Sequence, residues 1–142
     1  MNIFLLTILS IFWNQNTEHP LKKYRWENRI IILSAKRVDS LYNKQLEVLE
    51  AQQKDLLDRD LLIVLLDESH YSIGKNHYYQ SSDVKAIRKF FDIPADRFSL
   101  TLIGKDGTVK LQNNSLTDPE NIFEIIDGMP MRRLEMRRSR KY

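Results

Sequence analysis

Arg29-Ile30-Ile31-Ile32-Leu33-Ser34 is a short, unbroken apolar run dominated by isoleucine, and Asp60–Asp67 (DLLIVLLD) repeats the pattern further along the chain. Continuous runs of this length, rich in β-branched residues, are what strands buried on both faces require; a sheet wetted on one side would alternate instead. Between them the period changes. Tyr42, Leu46, Leu49, Gln53 and Leu56 recur at spacings of four and three, which predicts a helical stripe from about Asp39, with Asp39 or Ser40 as its cap. Strand, helix, strand in that order implies a parallel pair joined by a right-handed crossover.

Working outward, Glu68 to Ser81 is polar and aromatic, with Gly74-Lys75-Asn76 as a turn signal, and reads as a loop or a small hairpin. Ser82 is placed to cap a short helix with Val84, Ile87, Phe90 and Phe91 facing inward and Pro94 beyond its end. Phe98–Ile103 and Thr108–Leu111 read as strands joined by Gly104-Lys105-Asp106-Gly107, where Asp-Gly is a strong hairpin signal. Asp118-Pro119-Glu120 opens the last expected helix, Ile122, Ile125, Ile126 and Met129 form its apolar face, and Pro130 is read as its end. The order βαβ, α, ββα is that of the thioredoxin-like core, an α/β fold whose four-stranded mixed sheet runs 2-1-3-4 with helices on its flanks.

Composition limits the chemistry. The chain of 142 residues suits one domain and a proper core. It contains no cysteine, which excludes disulfides, thiolate metal sites and every mechanism that needs a protein thiol. A net charge of +3 is too small to argue for nucleic acid on its own. The basic excess lies at one end: Arg132, Arg133, Arg137, Arg138, Arg140 and Lys141 face a single acid, Glu135. Residues 132–142 are therefore read as a basic tail, either a solvated terminus or a weak contact for an anionic surface. Residues 1–18 form a hydrophobic leader around Ile3–Trp13, too short to span a bilayer and of the size of a signal-peptide core. No Lys or Arg precedes it and no small-x-small cleavage site follows. Export is preferred over an uncleaved arm or an early start codon, and the folded domain is expected over residues 24–131.

Several segments resemble one family. Trp26-x-x-Arg29, Arg59-Asp60, Gly104-Lys105-Asp106-Gly107 with Lys110, and Ile126-Asp127-Gly128-Met129-Pro130-Met131-Arg132-Arg133 with Glu135 look like the peroxiredoxin-like P-DUDES domain, known in bacteria as domain of unknown function 4174. The similarity covers roughly Trp26 to Arg137. Similar domains occur in vertebrate extracellular proteins with sushi repeats, which the resemblance adds to the case for export. It implies a thioredoxin-like fold and carries no settled activity, so a redox role inherited through it is fold analogy alone. Thioredoxin-like oxidoreductases place the reactive cysteine between the first strand and first helix, where this chain has Ala35-Lys36-Arg37-Val38; the position of their cis-proline falls near Ser99.

The topology places Trp26, Arg29, Arg59, Asp60, Lys105, Asp106, Lys110, Asp127 and Arg132 together at the pole opposite the redox position. Two readings stand. In one, these residues form a recognition surface, Lys and Arg holding an acidic or phosphorylated partner and Trp26 serving as apolar anchor. In the other, Asp60, Asp106 and Asp127 pair with Arg29, Arg59 and Arg132 to tie strand ends together, the commoner use of such charges. Glu68, His70 and His77 match no metal-ligand spacing, His19 is isolated, and the histidines read as surface residues. Tyr71, Tyr78 and Tyr79 read as cover for the core. The sequence thus argues for a noncatalytic binding module with no metal and no cofactor. The alternative is an oxidoreductase-related protein that borrows redox chemistry from a partner or bound cofactor.

Overall fold

The computed structural model describes residues 18–141; the expected leader, Ile3–Trp13, lies outside the described residues. The first element of the described residues is a short 3-10 turn, Pro20–Tyr24, whose Leu21 is buried. β1 (Arg29–Ser34) and β2 (Leu61–Leu66) pair in parallel from Arg29 opposite Leu61 to Ser34 opposite Leu66. The crossover between them is helical, capped by Asp39, whose carboxylate accepts the Tyr42 amide hydrogen at 2.9 Å. It divides at Ala51–Gln52 into α1 (Ser40–Glu50) and α2 (Gln53–Asp58). Tyr42, Leu49 and Leu56 keep the expected stripe, but Gln53, the first residue after the break, is exposed, and Gln45 is buried, its amide bonded to the Thr117 backbone.

β3 (Tyr71–Ile73) and β4 (Asn76–Tyr78) form a hairpin around Gly74, which takes φ +59. α3 (Ser81–Phe91) follows. Its N-cap is Gln80 rather than Ser82, and Phe90 stays half exposed while Val84, Ile87 and Phe91 are buried. β5 (Ser99–Ile103) and β6 (Val109–Asn113) form the second hairpin, and β5 runs antiparallel to β1.

The sheet therefore has six strands, not four, and its order is β4-β3-β2-β1-β5-β6. The difference from the expected order lies in β3 and β4, which add to the outer edge of β2: Val64 to Leu66 would otherwise leave unpaired backbone groups there. Alternate residues of the central strands feed two cores. Ile31, Leu33, Leu100 and Leu102 face α1, α2 and α4 (Pro119–Asp127); Ile30, Ile32, Val64, Leu66 and Ile103 face α3 and the 3-10 turn.

Pro130 does not end the fold. Asp118 caps α4 as expected, accepting the Glu120 amide at 3.0 Å, and α4 stops at Asp127. Pro130 then starts α5 (Pro130–Ser139), because the first helical position needs no amide donor and favours the proline φ. The expected basic tail is thus a helix, and Arg132 within it is buried.

Candidate functional site: the pole opposite the redox position

β1 and β2 start, and β5 ends, at the same pole, and the α4–α5 corner returns there. Arg29, the first residue of β1, is 1% exposed. Its guanidinium grips Glu135 of α5 in a fork, Nη1 to Oε2 at 3.1 Å and Nη2 to Oε1 at 3.3 Å, and Nη1 also donates to the Arg59 carbonyl at 3.0 Å. Lys105, just past β5, donates to Glu135 at 2.7 Å and to Asp60 at 2.8 Å. Arg59 grips Asp127 at 2.8 and 3.1 Å, reaches Asp55 at 3.1 Å, and lies over the Phe123 ring at 4.4 Å. Arg132 completes the circuit, donating to Asp127 at 3.1 Å, to the Asp58 carbonyl at 2.7 Å and to the Asp58 carboxylate.

Burial opposes ionisation of Glu135, but the hydrogen bonds and charges of Arg29 and Lys105 outweigh it and hold this carboxyl below its usual range. Asp127 is likewise held low: burial raises it, and Arg59 and Arg132 more than compensate. The network therefore stays ionised and locks four separate chain segments into one corner.

Of the nine residues grouped by the sequence, Arg29, Arg59, Asp60, Lys105, Asp127 and Arg132 share this network. Asp106 and Lys110 do not; they pair with each other at 2.9 Å within the β5–β6 hairpin, where Asp106 also accepts the Thr108 amide and hydroxyl. Trp26 stands beside the network. Its amide donates to the Lys105 carbonyl at 2.7 Å, its φ is 71, and its indole is 57% exposed. Asp60 also has positive φ, so two of the three non-glycine residues in that region among the described residues sit at this pole. Glu135, Asp58 and Asp55 complete the network without having been grouped with it. Pairings across such sequence separations leave no local pattern; the lone Glu135 amid six basic residues was the one available signal.

Next to Trp26 a cavity of about 320 Å³ opens between the 3-10 turn, the end of α3 and the β5–β6 turn. His19, Phe90 and Phe91 line one wall, Leu21, Ile30 and Ile103 supply apolar lining, and Arg25, Lys22, Glu18 and Asp106 bring charge. His19 is not a surface histidine. Its ring lies 4.2 Å from that of Phe90 and 4.8 Å from that of Phe91, and burial, aided by Lys22, lowers its pKa and favours the neutral ring. Its buried Nδ1 has no hydrogen-bond partner among the described residues. Gly107, at φ +82, lets the Arg25 stem pass: a Cβ there would meet Arg25 Cδ and Nε at 3.4 Å. The Arg25 guanidinium sits 5.0 Å over the Trp26 ring and has no carboxylate partner among the described residues.

The opposite pole is built differently. Ser34 pairs with Ser99 across β1 and β5, and Arg88 donates to Ser34 Oγ and the Pro94 carbonyl, both at 2.7 Å, and to the Asp67 carbonyl at 3.1 Å. Tyr42 lies on this side too, and burial, with the charge of Asp67, pushes its phenol up to about 12. His70 pairs with Asp67 and stacks on Tyr79 at 5.0 Å and on His77 at 5.8 Å. Tyr71 is buried as read, whereas Tyr79 is exposed. No group of three or more His, Asp or Glu arranged to hold a metal occurs among the described residues.

The sheet order and helix placement define the thioredoxin-like fold class, here in a chain without cysteine. The model of the family named Domain of unknown function (DUF4174) matches residues 20–135, and the chain belongs to that family. Coiled-coil domain-containing protein 80 of Danio rerio is 29% identical over 139 residues, covering 86% of this chain. The chain spans only 16% of that relative's length. Among solved structures, the reduced 2-Cys peroxiredoxin of Plasmodium vivax superposes with a TM-score of 0.54 at 16% identity, over 86% of this chain and 85% of that one. Trgpx in its apo form gives a TM-score of 0.45 at 22% identity, over 75% and 82% of the two chains. The first likeness bears on fold alone.

Proposed function

We propose that this domain is a noncatalytic binding module whose site is the cavity beside Trp26, taking a small aromatic or apolar group that carries a carboxylate or phosphate. The observation that carries the reading is the contrast between neighbouring cations. Arg29, Arg59, Lys105 and Arg132 each already face a carboxylate. Arg25, stacked on Trp26 and lining the cavity, faces none among the described residues. In this reading the network is the rigid back of the site rather than its ligand-holding surface. The Arg25 fork meets the anion, while Lys22 is already held by Glu18 at 3.2 Å, and the apolar part lies against the wall that the packed rings of His19, Phe90 and Phe91 form. The backbone strain at Trp26 fits a residue held in place for contact. The family match and the peroxiredoxin-like fold leave room for the alternative, redox chemistry borrowed from a partner or cofactor, and export remains the expectation for the leader.

The test is titration of isotope-labelled protein with phenylacetate and phosphotyrosine, read by amide chemical shifts. Shifts at His19, Arg25 and Gly107 that disappear in Arg25→Gln are expected. Shifts confined to Ala35–Val38, or peroxide consumption above a protein-free blank once cell extract is added, would replace this reading with the redox alternative.

A further inference from the structure

A second surface stands apart from the cavity, on α5, and its argument does not depend on the cavity reading. Arg132 and Glu135 turn inward to the ion network. Most of the remaining helix is presented outward in two neighbouring rows. Arg133 and Arg137 of the helix and Arg140 at its C-cap recur at spacings of four and three, one above another over about 10 Å at 1.5 Å per residue. Beside them run Met131, Leu134 and Arg138, at spacings of three and four, with Lys141 in the turn that follows. All seven are exposed, Leu134 by 50%. None of the five cations has an ion-pair partner among the described residues, because Glu135, the one acid of the helix, is spent on Arg29 and Lys105.

We propose that this face of α5 docks peripherally on an anionic phospholipid bilayer, the guanidinium groups meeting lipid phosphates while Leu134 and Met131 enter the headgroup layer. One feature selects a bilayer over another polyanion: apolar side chains set between arginines gain from a surface that is charged outside and apolar just beneath, which a nucleic acid backbone does not offer. The contact is peripheral, since no helix among the described residues is long and apolar enough to cross a membrane.

Co-sedimentation of the full chain with phosphatidylcholine vesicles, with and without phosphatidylserine, tests this. Binding is expected only with phosphatidylserine and should weaken as salt rises. The triple variant Arg133→Gln, Arg137→Gln, Arg140→Gln, which breaks no ion pair and should keep the wild-type circular dichroism, is expected to bind about 100-fold less tightly, each arginine contributing about fivefold. Leu134→Ser, which leaves the charge unchanged, is expected to weaken binding severalfold. The proposal is overturned if the phosphatidylserine vesicles do not retain the protein, or if the triple variant binds like the wild type. It is equally overturned if Leu134→Ser has no effect while duplex DNA binds as tightly as the vesicles, the result for a purely electrostatic polyanion site.

Discussion

Replacing Glu135 by alanine puts the distal pole under the most direct strain. Among the described residues Glu135 is the only carboxylate that both Arg29 and Lys105 contact, through bonds of 3.1, 3.3 and 2.7 Å. Removing one partner of a fully buried ion pair costs about 3–5 kcal/mol, chiefly from the charge left behind. Arg29, at 1% exposure, is in that position, and its Nε already lacks a partner. Two features moderate the loss. The Glu135 side chain is 25% exposed, so water reaches part of the site, and Arg29 keeps the Arg59 carbonyl while Lys105 keeps Asp60. The expected cost is therefore at the lower end, about 3 kcal/mol, a fall in Tm on the order of 10 °C for a domain of this size. Urea unfolding followed by far-ultraviolet circular dichroism measures it. Glu135→Gln should lose roughly half as much, since the amide oxygen still accepts. The double change Arg29→Met with Glu135→Leu should cost less than the sum of the single changes, because it removes the Arg29 charge together with its carboxylate and leaves only Lys105, still held by Asp60, short of a partner. A loss below about 0.5 kcal/mol for Glu135→Ala, within the range of an ordinary surface substitution, would refute the reasoning.

Three further outcomes follow from the same geometry. Glu135 and Asp127 have folded-state pKa values below their ordinary ones, so their stabilisation is fully present above the unfolded carboxylate range of about 4 and is lost as pH falls through the lower folded values. The urea midpoint should drop between neutral and acid pH, and should drop less in Asp127→Asn; equal slopes would count against the network. Trp26→Gly should be more stable than Trp26→Ala in urea unfolding by about 1 kcal/mol, because glycine alone accepts φ 71 without strain. Gln45→Leu should cost about 2–4 kcal/mol in chemical denaturation. Its fully buried amide donates to the Thr117 carbonyl at 2.9 Å and accepts the Thr117 N–H at 2.7 Å, and leucine strands both groups.

The legible parts of this fold are those where one local rule dominates. β1 and β2 announce themselves because helices cover both faces of the sheet, so no position needs to be polar. The β5–β6 hairpin is legible because Asp106-Gly107 supplies the positive φ its turn requires. β3 and β4 are legible only as one of two readings, loop or small hairpin, because three-residue strands contain too few positions for a period to register, and their addition to the edge of β2 leaves no local signal. Pro130 is ambiguous for a physical reason: the missing amide suits the residue just after a helix and the first residue of the next one equally well. His19 gave no signal either, since its burial comes from Phe90 and Phe91 on a distant helix.

By itself the chain determined that it has no thiol of its own, that two parallel strands form the centre of the molecule, and that one set of charged residues, Arg29, Arg59, Asp60, Lys105, Asp127 and Arg132 among them, belongs to one pole. Tertiary structure alone decided what those charges do. Whether an arginine is free to meet a ligand depends on which carboxylate lies within about 3 Å of it, and Glu135 reaches Arg29 across 106 positions of sequence. That distance is set by the packing of α5 on the strand ends, so the same residue types become a locked corner at Arg29, an open fork at Arg25 and an outward-facing row at Arg133.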